Sequence, residues 1–319
     1  MAYKVGLASD DAVLFGESPL WDNRRGQLVL TDCFGKHVSI FDPVTRKITS
    51  KEVKPVDEEI IYTVISIPYA SSTNKFLVTL SSGKLVEFDW DQNAITKVLY
   101  DCKNPLISYN DGKCDSKGRL WTGSGRIEDL GKLTMTKDKG EVYKLSKSST
   151  TQGMLDSFTE TGNFDLPNGL GFNKEQTKLF WNDLTGRVIN LFDFDANNGK
   201  LGNRKLFFDF KDHSELDGSY PDGLCLDVSG NVWVACWKGA CVIKIDGSNG
   251  KLLEKIGVPV HNTTSVAFGG TNYDRLYVTT TSIELDKSLV DEPDTGKIFE
   301  ISCPGDSSFK GFQECFLDV

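Results

Sequence analysis

The chain has 319 residues, 39% hydrophobic and 25% charged, with a formal net charge of −9. This is the balance of a soluble globular protein long enough to bury a large core without staples. There is no basic run or aromatic-basic stripe, which argues against nucleic acid as a partner, and no apolar stretch of bilayer-spanning length, which argues against a membrane helix.

The first residues, MAYKVGLASDDAVLF, lack the basic start and long apolar run of a signal peptide, so a cytoplasmic location is expected. One unit then recurs along the chain: a short apolar strand, a second strand, a third strand and a polar turn. First strands begin at Glu17, Val64, Asn110, Asn168, Asp222 and Ser265. The second strands are GQLVLTD (26–32), KFLVTL (75–80), GRLWTGS (118–124), TKLFWND (177–183), GNVWVAC (230–236) and DRLYVTT (274–280). The third are KHVSIFD (36–42), GKLVEFD (83–89), GEVYKLS (140–146), GRVINLFDFD (186–195), GACVIKID (239–246) and GKIFEIS (296–302). Alternating apolar residues and β-branched or aromatic enrichment mark strands, and Gly, Asn and Asp mark the turns.

Repeats of roughly 40–50 residues with several strands each are propeller blades. A β-sandwich pair does not readily supply six copies in phase. The expected fold is therefore all-β: a six-bladed β-propeller forming one domain over residues 1–319, since no Pro, Gly or Ser tract divides the chain. The ends, YKVGLAS (3–9) and FKGFQECFLD (309–318), are expected to pair in one blade and close the ring, removing exposed sheet edges.

Eight cysteines are scattered without a C-x-x-C pair. They read as mostly buried, reduced thiols and not as a zinc knot. Three histidines, His37, His213 and His261, form no H-E-x-x-H motif and read as surface or packing residues. Trp121, Trp181 and Trp233 fall in strand patterns and read as packing between blades.

In a propeller the first strand of each blade lines the central channel. Four of the six equivalent starting positions hold Glu17, Asn110, Asn168 and Asp222. Taken singly, Asn110-Asp111-Gly112, Pro167-Asn168-Gly169 and Pro221-Asp222-Gly223 are good turn sequences. A turn explains the Gly, but not an acid or amide in the same phase each time. Carboxylates crowded on a desolvated axis repel unless one is protonated or a cation lies between them. Oxygen ligands without sulfur or imidazole suit a hard cation. Ca²⁺ is favoured over Mg²⁺ because it tolerates irregular geometry, with Mn²⁺ or Zn²⁺ as substitutes in vitro.

The segments GESPLWD (16–22), NDGKCDSKGRLWTGS (110–124), LPNGLGFN (166–173), YPDGLCLDVSGNVWVACWKG (220–239), TTSVAFGG (263–270) and PDTGKIFEI (293–301) resemble the regucalcin, or senescence marker protein 30, family with its gluconolactonase and luciferin-regenerating relatives. The resemblance covers nearly the whole chain. It implies a six-bladed propeller with one divalent metal on Glu17, Asn168 and Asp222, Asn110 facing the substrate, and Glu128 where the lactonases place a carboxylate against sugar hydroxyls. One position departs from the pattern. Sugar-lactone-hydrolysing members carry Arg two residues before the NDG asparagine, where this chain has Ser108, so the donor fork that Arg offers to substrate oxygens is missing.

The leading expectation is a metal-dependent hydrolase of a lactone or related cyclic ester. Asp222 would activate water, Glu17 and Asn168 would hold the ion, and Asn110, Glu128 and Ser108 would meet the substrate. The alternative is a binding protein in which calcium is structural or buffered and the tunnel holds a small ligand, or a luciferin-regenerating-type protein without sugar-lactonase activity. A protein-interaction propeller ranks below both. The expected partner is a small molecule, and nothing in the sequence indicates an oligomer. Two longer charged segments, Glu128–Lys139 and Ile283–Pro293, read either as lids over one mouth or as solvated loops.

Overall fold

The computed structural model describes residues 2–55, 60, 62–104, 107–129, 134–285 and 288–318. Among them, six antiparallel sheets of four principal strands follow one another around an axis, as a six-bladed β-propeller. The helical segments among the described residues are two short 3-10 turns, Phe210–Asp212 and Ser214–Leu216, and none is long and apolar enough to cross a membrane.

The inner strands, in blade order, are Gly16–Asp22, Ser66–Pro68, Ile107–Cys114, Pro167–Phe172, Tyr220–Leu226 and Thr263–Gly269. They are packed between their own sheet and their neighbours, so nearly every residue in them is buried. The second and third strands fall where the alternating pattern places them, for example Lys178–Asp183 paired with Val188–Asp195 in blade four.

The ring closes through the N-terminal segment alone. Lys4–Leu7 pairs with Phe299–Ser302 as the outer strand of blade six, in register Lys4↔Ser302 to Leu7↔Phe299. The C-terminal segment does not join a blade, contrary to the sequence reading. It crosses the axis where the inner strands end. Gly311 N donates to Tyr273 O, Leu317 N to Pro68 O and Asp318 N to Gly118 O. Cys315 forms an isolated backbone β-bridge with Cys114, and Glu314 forms an ion pair with the buried Lys113. This tail alternates like a strand because it lies across strand ends with one side against the tunnel floor.

Aromatic residues fill the gaps between blades. Trp121, Trp181 and Trp233 are fully buried, and Trp121 stands edge-on to Phe194 at 5.4 Å between ring centroids. Two of the three carry a local clamp: Trp121 Nε1 donates to Asp115 Oδ2 at 2.9 Å and Trp233 Nε1 to Asp227 Oδ2 at 3.0 Å. The same carboxylates accept backbone N–H groups of the turn that separates each pair of strands. An aspartate in the turn thus satisfies a buried indole that could not otherwise be packed without penalty. All eight cysteines are free thiols, six of them buried. Of the histidines, His213 stacks on Phe208 at 4.4 Å, His37 lies beside Asp32 and His261 is exposed.

Candidate functional site

The segments that look like turns in the sequence are strand. In blades one, three, four, five and six, the pairing of inner and second strand slips at one place: between Glu17 and Leu20, Tyr109 and Gly112, Pro167 and Leu170, Pro221 and Leu224, and Thr263 and Ser265. Each slip is a β-bulge, which re-aims a side chain without ending the strand. Glu17, Asn110, Asn168 and Asp222 all lie within these bulges, so the shared sequence phase is a shared backbone distortion near the axis.

The glycines of these motifs answer to crowding. A Cβ on Gly169 would come within 2.4 Å of Asp222 O, and one on Gly223 within 1.8 Å of Ser265 Oγ. The inner strands of blades four, five and six approach too closely for any side chain there.

Two further aspartates position the site. Asp32 closes the second strand of blade one and accepts from Leu14 N at 3.1 Å and Phe15 N at 3.0 Å, just ahead of Glu17. Asp183 occupies the same place in blade four and accepts from Asp165 N and Leu166 N, both at 2.9 Å, just ahead of Asn168. The terminal Asp of GQLVLTD and of TKLFWND is the sequence signal for both. Asn182 Nδ2 donates to Asp222 O and fixes the blade-five strand.

The structure brings Glu17, Asn110, Asn168 and Asp222 to one cavity of about 370 Å³, which Ser108 also lines. Glu17, Asn168 and Asp222 are each 5% exposed or less. The Asn168 side chain hydrogen-bonds the Asp222 carboxylate. Asn168 Oδ1 and Asp222 Oδ1 remain buried with no protein partner.

One residue deeper, Asp111 accepts from Ser18 Oγ at 2.7 Å and is also buried. Burial pushes the Glu17 carboxyl well above the ordinary carboxylate range, and the charges of Asp222 and Asp111 push it further. Burial and then Asp111 do the same to Asp222, against the opposing hydrogen bond from Asn168. Asp111 is raised chiefly by burial, with Lys113 acting to lower it. Glu17, Asp222 and the Asn168 amide share one buried place in which two oxygen atoms are left unsatisfied, and oxygen donors of this kind suit a hard cation. No three His, Cys, Asp or Glu side chains among the described residues form a ligand cluster. A cation here would therefore draw on the Asn168 amide oxygen as well as on the acids.

The remaining wall includes residues that the strand pattern does not single out. Phe15, Phe34, Tyr62, Leu166 and Trp237 line the cavity. Ser108 does not face it as a free hydroxyl, because it is hydrogen-bonded to Tyr62 OH. Of the two longer segments, the first supplies Lys137 and the second Leu285 to the cavity wall. Thr134–Met135 pairs back onto the second strand of blade three, and Ile283 bridges to Leu289. The backbone of Glu128 belongs to that second strand, while its side chain lies outside the described residues.

A family model described as SMP-30/Gluconolactonase/LRE-like region matches residues 15–282. Regucalcin of Gallus gallus is 28% identical over 301 residues, covering 94% of this chain and 94% of the relative. Regucalcin of Bos taurus is 29% identical over 289 residues, 90% of each chain. Among solved structures, a luciferin-regenerating enzyme aligns with a TM-score of 0.85 at 29% identity over 100% of both chains. A regucalcin from Agrobacterium tumefaciens, described as a calcium-binding protein, aligns with a TM-score of 0.81 at 21% identity, covering 99% and 98%.

Proposed function

The chain belongs to the SMP-30/Gluconolactonase/LRE-like family, and from that premise we propose that it is a divalent-metal-dependent hydrolase of lactones or related cyclic esters. The observation that carries the reading is the pair of orphaned oxygens, Asn168 Oδ1 and Asp222 Oδ1, buried beside the Glu17 carboxyl. Glu17, Asn168 and Asp222 would hold the ion, with Ca²⁺ favoured because irregular oxygen sites suit it. When bound, the cation supplies positive charge that polarises the substrate carbonyl.

The chain's own residues do the rest. Asp222 takes a proton from the attacking water, whose oxygen forms a bond to the carbonyl carbon. The ester C–O bond then breaks, and the departing oxygen receives the proton, giving a hydroxy acid. Asn110, on the cavity wall, orients the carbonyl or the departing oxygen through its carboxamide. Asp32 and Asp183 hold the loops that present Glu17 and Asn168. Glu128 remains a proposed substrate contact on the resemblance alone. A cytoplasmic location and a small-molecule partner complete the reading.

Turnover of a lactone and aryl-ester panel, with and without chelator, tests it. Glu17→Gln and Asp222→Asn should each lower metal-dependent turnover by about a hundredfold or more and weaken the rise in melting temperature on adding Ca²⁺. Full turnover in either variant would refute the assignment. Inactivity of the wild type across the panel, with Ca²⁺ stabilisation intact, would favour a calcium- and ligand-binding propeller instead.

A further inference from the structure

The cavity wall speaks to substrate class. Phe15 and Phe34 stand edge-on at 5.4 Å between centroids, and Phe34 meets Tyr62 the same way at 6.1 Å, forming a continuous aromatic wall at the junction of blades one and two. Trp237 adds an indole from blade five, and Leu166 and Leu184 add aliphatic surface from blade four. The lining surface is mainly apolar, and several of its polar groups are already engaged. Ser108 is hydrogen-bonded to Tyr62 OH, and Asn168 to Asp222. Glu17 and Asp222 form the proposed cation cradle. Asn110, Thr185, the half-buried Asp165 and the exposed Lys137 remain for a ligand, with the buried, unpartnered Trp237 Nε1 as one further donor.

A polyhydroxylated lactone brings a hydroxyl on nearly every ring carbon. Each hydroxyl that leaves water without a new partner costs roughly 1–3 kcal/mol. An apolar ring loses nothing in the same transfer and gains from burial against the aromatic wall. A volume of about 370 Å³ accommodates one or two fused rings and lies at the small end of ligand pockets.

We infer that the substrate is an apolar lactone or ester, carrying an aromatic or alkyl group seated against Phe15, Phe34, Tyr62 and Trp237, and not a sugar lactone. Tyr62 is the specificity-determining residue, because its hydroxyl occupies the Ser108 oxygen and its ring completes the wall. The inference rests on the hydrolase reading for the reaction, but not for the binding.

The test compares two six-membered lactones, 3,4-dihydrocoumarin and glucono-δ-lactone, on the full chain with Ca²⁺, and measures coumarin binding separately by calorimetry. The kcat/KM for dihydrocoumarin should exceed that for the sugar lactone by about a hundredfold. Phe34→Ser should raise the dihydrocoumarin KM about tenfold and leave the sugar lactone unmoved. Equal or better turnover of glucono-δ-lactone would overturn the inference, as would failure of coumarin to bind. Coumarin binding without turnover of either lactone would uphold the apolar pocket and overturn the hydrolase reading instead.

Discussion

Ser18 Oγ donates to Asp111 Oδ1 at 2.7 Å, joining blades one and three across the axis directly next to Glu17. Asp111 thus has two functions. Its oxygen locks the ring across its centre, and its charge adds to that of Glu17 and Asp222.

The two functions separate in Asp111→Asn. The amide oxygen can still accept from Ser18, so the cross-axis bond survives, while one negative charge leaves the cluster. The chelated protein should melt at a higher temperature than wild type. Affinity for Ca²⁺, read by calorimetry, should fall about tenfold, as for a lost partner behind the ligands of a metal site. An unchanged affinity would mean that Asp111 is only a structural link.

The raised carboxyls of Glu17 and Asp222 give stability a sign with pH. In chelator the folded protein retains protons that the unfolded chain releases above the ordinary carboxylate range, so the unfolded state is favoured as pH rises. As pH rises past the ordinary carboxylate range, the melting temperature in chelator should decline. Ca²⁺ should reverse the decline and stabilise most at the upper end. Thermal melts across pH, with and without Ca²⁺, read both effects. A melting temperature that climbs with pH in chelator would contradict the electrostatic account.

Close approach of the inner strands predicts a steep cost for one methyl group. Gly223→Ala drives its Cβ into Ser265 and should destabilise by about 1–3 kcal/mol, a loss of several degrees in melting temperature. A Cβ on Gly257, in an outer strand, would meet nothing within 4 Å, so Gly257→Ala should stay within about 0.5 kcal/mol of wild type. Similar melts for the two variants would show that the strands can spread.

The blade pattern is legible in the sequence because alternation and turn residues are local properties. Glu17, Asn110, Asn168 and Asp222 emerge from phase alone, since repetition converts sequence position into position on the axis. The bulges behind that phase are not legible, because Pro-Asn-Gly and Pro-Asp-Gly read equally well as turns. Tyr62 and Phe34 escape sequence reasoning because they sit between strands, where no periodicity marks a residue as lining anything. Ser108 reads in the sequence as an open position left by a missing arginine. Its engagement with Tyr62 depends on a partner 46 positions away. The tail, with its alternating FQECFLD, carries a strand's pattern but pairs only through isolated bridges.

That tail has a consequence for traffic through the molecule. With Lys113 and Glu314 joined at the far end, and the backbone at Cys315 and Leu317 bridged to blades three and two, the tail spans that end of the axial passage. A passage stopped at that end would leave one opening for whatever reaches Asp222. In the hydrolase proposed above, product and incoming substrate would then share the opening that Lys137 and Leu285 line.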